Sequence, residues 1–226
     1  MTGQRNGWPV WPLAVATVVI PIVAVIVSAT IAMTLELVPR CLPLIDGCTS
    51  ISATGRYPPA SYVFKGTILP FTGLLALYWL VVVKWLRRLP NAAPWRLANL
   101  CLGLALFSAV ALAVYAVLLG SHGDAYEFMR RFGIYFFFLF TVIAQVLTAL
   151  RLRASSPTHR AGTWQLRTAL AMLALGLLNV VLKTILADPD PAENVIEWIF
   201  GLVMFLNFAP VIGPLKTQGV RIEVRT

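Results

Sequence analysis

Few side chains in this sequence could do chemistry, and they fall into three groups. Acyl transfer or hydrolysis needs a nucleophile beside a base. Ser50 and Ser52, in a stretch crowded with hydroxyls, and His122, in the turn Ser121-His122-Gly123-Asp124, are therefore the candidate catalytic residues. A single histidine in such a turn is more often solvent-exposed than catalytic, so no catalytic set is assigned. Phosphate recognition is the second chemistry. Arginine suits it because its fork can make two parallel hydrogen bonds. Arg56, Lys65, Arg130 and Arg131, with Ser50, Ser52, Thr54 and Gly55, form a candidate lipid-headgroup patch. The third group is a pair of charges inside apolar runs, Lys183 and Glu197, with Asn179 one turn from the lysine. The spacing predicts an intramembrane pair; the alternative is a lysine that snorkels to the interface.

These residues must be positioned by helices in lipid. The 226-residue chain is 59% hydrophobic and only 12% charged, where a soluble domain carries roughly 25% charge. A span needs about 20 apolar residues to cross about 30 Å of hydrocarbon. Gaps between charges predict six spans near 12–33, 62–84, 97–119, 131–150, 168–187 and 192–213, joined by one long outer loop, 34–61. The expectation is a single all-α integral membrane domain, a six-transmembrane-helix bundle over 1–226. The first apolar stretch is too long for the h-region of a signal peptide, which favours a retained span over cleavage. Asp190-Pro191-Ala192-Glu193 predicts a capping box that starts span six, with Asp190 as N-cap. Glu197 then lies about 9 Å into the membrane, at a depth similar to that of Lys183.

Orientation follows from charge. Twelve lysines and arginines fall on the side of the two termini and five on the other, and eight of the nine acids take the second side or its edge. The positive-inside rule places both termini in the cytoplasm. The formal charge of +9 reflects these short connectors. No basic helix face or nucleic-acid motif accompanies it, so no nucleic-acid partner is expected.

Cys41 and Cys48 lie in the outer loop, on a side where disulfides persist. A Cys41–Cys48 disulfide is expected over two free thiols, and so small a ring contributes roughly 2.5 kcal/mol in the chain-entropy model. Cys101 falls in span three as packing. No metal site and no cofactor is expected. Arg131 can pair with Glu127 at i, i+4, which would make it a satisfied interfacial ion pair instead of a headgroup ligand. Span four is strongly aromatic, from Phe132 to Phe140, which suits packing or lipid contact and, as an alternative, an acyl-chain groove.

Ser50-Ile51-Ser52-Ala53-Thr54-Gly55-Arg56-Tyr57-Pro58-Pro59, followed by Phe64 and Gly66, resembles the first outer loop of the Frag/DRAM/Sfk family of six-span proteins. Val195-Ile196-Glu197-Trp198 resembles that family's Glu-Trp or Glu-Tyr pair in span six. The family includes autophagy modulators and the post-GPI-attachment lipid-remodelling factor, and the likeness covers essentially the whole chain. Two departures stand out: Ala53 replaces the usual acid, and Arg130-Arg131 stands where a histidine is common. The resemblance implies a six-span fold and links to lipid remodelling, lipid asymmetry and phosphoinositide-kinase recruitment, without one common reaction.

The expected function is lipid binding or lipid homeostasis through a polar extracytoplasmic headgroup patch, with membrane lipids as partners. A lipid-modifying enzyme acting at the outer leaflet is the alternative. A transporter is a further one: Pro21 and Pro70 could kink spans one and two, though no internal repeat is read from the sequence. A scaffold is another: the basic 84–96 and 151–167 loops would be where a cytoplasmic protein partner docks. The composition suits a bacterial inner membrane.

Overall fold

The computed structural model describes residues 7–90 and 94–223. Six of its helical segments are long and apolar enough to cross a membrane. In hydrocarbon every backbone N–H and C=O must be satisfied within the protein, and a helix does this along one segment. That demand outweighs the weak helix propensity of the β-branched residues that crowd α1 (Trp11–Thr34). Its 24 residues rise about 36 Å, enough for one crossing.

The connection that follows carries two single-turn helices. In α2 (Pro43–Asp46) the Asp46 carboxylate accepts the Leu42 amide at 2.8 Å, and Gly47 ends the turn in the left-handed region at φ 61°. In α3 (Ile51–Thr54) the Ser50 hydroxyl accepts the Ala53 amide at 3.0 Å as an N-cap. A disulfide joins Cys41 and Cys48, whose Cα atoms are 6.5 Å apart.

The remaining spans follow as α4 (Ala60–Arg87), α5 (Ala98–Leu118), α6 (Asp124–Arg153) and α7 (His159–Ile185). The sixth span is divided into α8 (Asp190–Leu206), a 3-10 turn at Ala209–Val211, and α9 (Ile212–Thr217). Several helices run beyond their apolar stretches: α6 begins at Asp124, with Asp124 and Glu127 in its first turn, where acids complement the helix dipole. Successive spans pack side by side, and α8 with α9 returns to α1, closing a ring. Span five sits at the periphery: 11% of its apolar window is buried, against 39–44% in the other five. Where α7 crosses α6, Gly162 lies so close that an added Cβ would come within 2.6 Å of the Ala149 carbonyl and the Arg153 amide. Small residues allow such backbone approach in lipid.

The interior is aromatic. Tyr78, Trp79 and Phe208 meet edge-on with centroids 5.2–5.6 Å apart, and Phe71 meets Phe205 at 6.0 Å. Phe208 stands at the interruption of span six. Pro210 and Pro214 have no N–H to give to the carbonyls four residues earlier, so the helix cannot continue in register. Side chains repair the break. Gln145 Nε2 donates to the Met204 carbonyl at 3.0 Å and Gln165 Nε2 to the Asn207 carbonyl at 3.2 Å. Asn207 Nδ2 donates to Gln145 Oε1 at 2.9 Å, and the Thr168 hydroxyl donates to Asn207 Oδ1.

Both ends of the described chain meet at one end of the bundle. Trp8–Pro9 pairs antiparallel with Arg221–Ile222, and Val10 N donates to the Val220 carbonyl at 3.1 Å. The disulfide loop, α2 and α3 occupy the opposite end, the loop end.

Candidate functional site

At the loop end, α8 presents a single stripe to the segment 47–52. Asn194, Glu197, Trp198 and Gly201 have the spacing i, i+3, i+4, i+7, which puts them on one helix face. Asn194 Nδ2 donates to the Gly47 carbonyl at 2.8 Å, and Trp198 Nε1 donates to the Thr49 carbonyl at 2.9 Å. Gly201 lies under Ile51, whose Cδ1 is 3.0 Å from where a Cβ would be. Glu197 Oε1 accepts both the Ser52 amide and the Ser52 hydroxyl, each at 3.0 Å. The Ser52 hydroxyl in turn accepts from the Tyr115 hydroxyl on α5 at 3.0 Å. A directed chain therefore runs Tyr115 to Ser52 to Glu197, and the second carboxylate oxygen stands outside it.

Two arginines lie within electrostatic range of this chain. Arg56 follows α3, and its Nε is buried with no hydrogen-bond partner among the described residues. Its charge acts at both Tyr115 and Glu197. Arg130, half-buried on α6, also acts at Tyr115. Together, Ser52, Tyr115, Glu197, Arg56 and Arg130 offer a carboxylate, two hydroxyls and two guanidinium groups. That set can bind a phosphate together with a hydroxyl or ammonium group.

Other candidates lie apart from this cluster. The Ser50 hydroxyl is engaged as the α3 cap. Thr54 is buried, and its hydroxyl donates to the Ile51 carbonyl at 2.8 Å. Gly55 packs on the Phe64 ring. Lys65 Nζ donates to the Val117 carbonyl at 3.3 Å. Arg131 is exposed and pairs loosely with Glu127 at 3.8 Å. His122 is exposed in the connection between α5 and α6, while both hydrogen bonds of the Ser52 hydroxyl go to Glu197 and Tyr115.

Two expectations require correction. Lys183 pairs with Glu193, not Glu197, at 2.8 Å. Glu193 is one turn nearer the start of α8 and so level with the end of α7, while Glu197 is drawn across to Ser52. Asn179 stays out of that pair; its Oδ1 is buried without a partner among the described residues. The helix cap is also displaced: Pro189 is the N-cap of α8, without a side-chain cap bond, and Asp190 is already helical. Tyr115 was not singled out in the sequence, because a tyrosine in an apolar run reads as packing. The Gln145–Gln165–Asn207 cluster was missed because uncharged amides leave no mark in a count of charges.

Comparison with known proteins adds a family assignment. No curated protein and no solved structure matches the chain. A family model described as the Frag1/DRAM/Sfk1/Cwh43P N-terminal domain matches residues 9–212, which takes in the first five spans, α8 of the sixth, the disulfide loop and the Glu197–Ser52 contact. The chain belongs to this Frag1/DRAM/Sfk1 family of membrane proteins.

Proposed function

We propose that the protein binds a membrane lipid by its headgroup at the loop end of the bundle and acts in lipid homeostasis. The observation that carries this reading is the Arg56 Nε, buried and without a partner among the described residues, within electrostatic range of the Tyr115–Ser52–Glu197 chain. An unsatisfied buried donor costs free energy, and a phosphate oxygen removes that cost through a charge-assisted bond. Arg130 supplies a second positive charge, and the free Glu197 oxygen accepts a headgroup hydroxyl or ammonium. The positive-inside count puts this site at the outer leaflet, with both termini in the cytoplasm of what the composition suggests is a bacterial inner membrane.

Native mass spectrometry of the purified protein, set beside lipid profiles of a deletion strain, tests the reading. Co-purifying phospholipid whose amount falls in Arg56→Ala and Arg130→Ala is the expected result. An unaltered lipid profile with no retained lipid would overturn it.

A second reading is favoured by one contact. The Ser52 hydroxyl is hydrogen-bonded to a carboxylate, an arrangement that can activate a serine for acyl transfer or hydrolysis. Fatty-acid release from added phospholipid that disappears in Ser52→Ala would establish the enzyme. Full complementation by Ser52→Ala would leave binding alone.

A further inference from the structure

Arg130 and Arg131 are consecutive on α6, so their side chains diverge by about 100°. Arg130 is half-buried toward Tyr115, and Arg131 lies on the outward face. There it joins Asp124, Glu127, Phe128, Phe132 and Tyr135 in lining one surface recess. Their spacing is that of a single helix stripe.

The charge of this recess is unusual for the protein. Two carboxylates and one guanidinium give it a negative balance in a chain of formal charge +9. The Arg131–Glu127 contact, at 3.8 Å, is too long for a tight ion pair and leaves the guanidinium donors largely available. On the flank toward α7, the Lys183 ammonium is held by Glu193 and lies within electrostatic range of Arg131 and Tyr135. The peripheral position of α7 keeps this side open.

Below the recess a ladder of rings descends along α6. Phe128, Phe132, Phe136 and Phe140 follow one another with centroids 4.2, 5.6 and 5.6 Å apart, and Phe107 of α5 meets Phe140 at 5.2 Å. Phe128, Phe132 and Phe136 are 60%, 41% and 36% exposed, so one edge of the ladder faces lipid. Phe132 to Phe140 is eight residues of helix, a rise of about 12 Å, which carries the track most of the way to the middle of a hydrocarbon layer about 30 Å thick.

We infer that this face is a second lipid site, selective for a zwitterionic phospholipid. Arg131 takes the phosphate. Asp124 and Glu127 take the ammonium, against which the Phe128 and Phe132 rings present their negative faces. One acyl chain lies along the phenylalanine ladder. The two carboxylates oppose a headgroup such as phosphatidylglycerol, which is anionic and carries no ammonium to offset them. The site does not rest on the Arg56 cluster, which lies on the other side of α6.

The test uses the full chain reconstituted in vesicles of phosphatidylcholine, phosphatidylethanolamine or phosphatidylglycerol mixed in equal parts, with retained lipids counted by native mass spectrometry. Zwitterionic lipids are expected to be retained over phosphatidylglycerol by about tenfold, the size of one desolvated charge or cation–π contact. The double variant Asp124→Asn/Glu127→Gln removes that preference, and Arg131→Ala lowers retention of the zwitterionic lipids. Phe128→Leu/Phe132→Leu separates the two headgroups: a loss confined to phosphatidylcholine assigns the rings to a trimethylammonium, and an equal loss assigns them to either ammonium. Arg56→Ala leaves the preference intact, which distinguishes this site from the first. Equal retention of the three lipids, or a preference unchanged in Asp124→Asn/Glu127→Gln, overturns the inference.

Discussion

Ser52 and Glu197, 145 positions apart in sequence, are joined by two hydrogen bonds that converge on one carboxylate oxygen. The contact is the main polar tie between the disulfide loop and the sixth span. It also unites the two short motifs by which the chain resembles its family. A surface loop is thereby held on a membrane helix by charge-assisted bonds, which are about twice as strong as neutral ones.

Removing either partner should loosen that tie unequally. Glu197→Leu leaves two donors of Ser52 without an acceptor and is expected to cost about 1.5–3 kcal/mol, the range for hydrogen bonds to charged groups. Ser52→Ala keeps the amide bond and should cost less. The double variant should fall short of the sum in thermal unfolding in detergent, because the two residues share one interaction. Simple additivity would show that the contact contributes little.

Lys183 and Glu193 should couple to each other, and Lys183 and Glu197 should not. Lys183 is 59% exposed, so the pair is expected to contribute only about 0.2–1 kcal/mol. Double-mutant cycles with Lys183→Met, run against Glu193→Gln and then Glu197→Gln, would measure both. A larger coupling to Glu197 would contradict the arrangement described.

The break in span six should depend on its amides. Gln145→Leu leaves the Met204 carbonyl and Asn207 Nδ2 without partners in a fully buried site. The expected loss is about 1–3 kcal/mol for each unsatisfied group. Melting temperature in detergent reads it. A neutral result would mean that the break is supported by other contacts.

Glycines offer a contrast between crowded and open positions. Gly162→Ala drives a methyl group into the α6 backbone and should destabilise by about 1–3 kcal/mol, as overpacking does. Gly66→Ala meets nothing within 4 Å. It should be neutral, or stabilising by about 0.5–1 kcal/mol through helix propensity. Equal effects at both sites would show that α7 does not seat on α6 at Gly162.

The helix bundle was legible in the sequence because hydrocarbon imposes a simple rule: long uncharged runs must be spans. Six runs therefore gave six helices. The site was legible only in part. Ser52, Arg56, Arg130 and Glu197 stand out as polar groups beside or within apolar runs. What joins them does not, because the register between α3 and α8 is set by tertiary packing across the bundle. The same limit explains the lysine: depth alone makes Glu193 and Glu197 comparable partners for Lys183, and only the pull of Ser52 on Glu197 separates them. Arg131 was grouped with Arg130 because they are neighbours in sequence, although a helix turns consecutive residues onto different faces.

The short antiparallel bridge between Trp8–Pro9 and Arg221–Ile222 has a topological consequence. An even number of crossings returns Arg221–Ile222 to the side of Trp8–Pro9, and the bridge fixes the two strands together there. The six crossings between them thus form a ring clasped at one point, with α1 and α9 as the two sides of the seam, and a cross-link engineered between the two strands would leave the neighbours of every span unchanged.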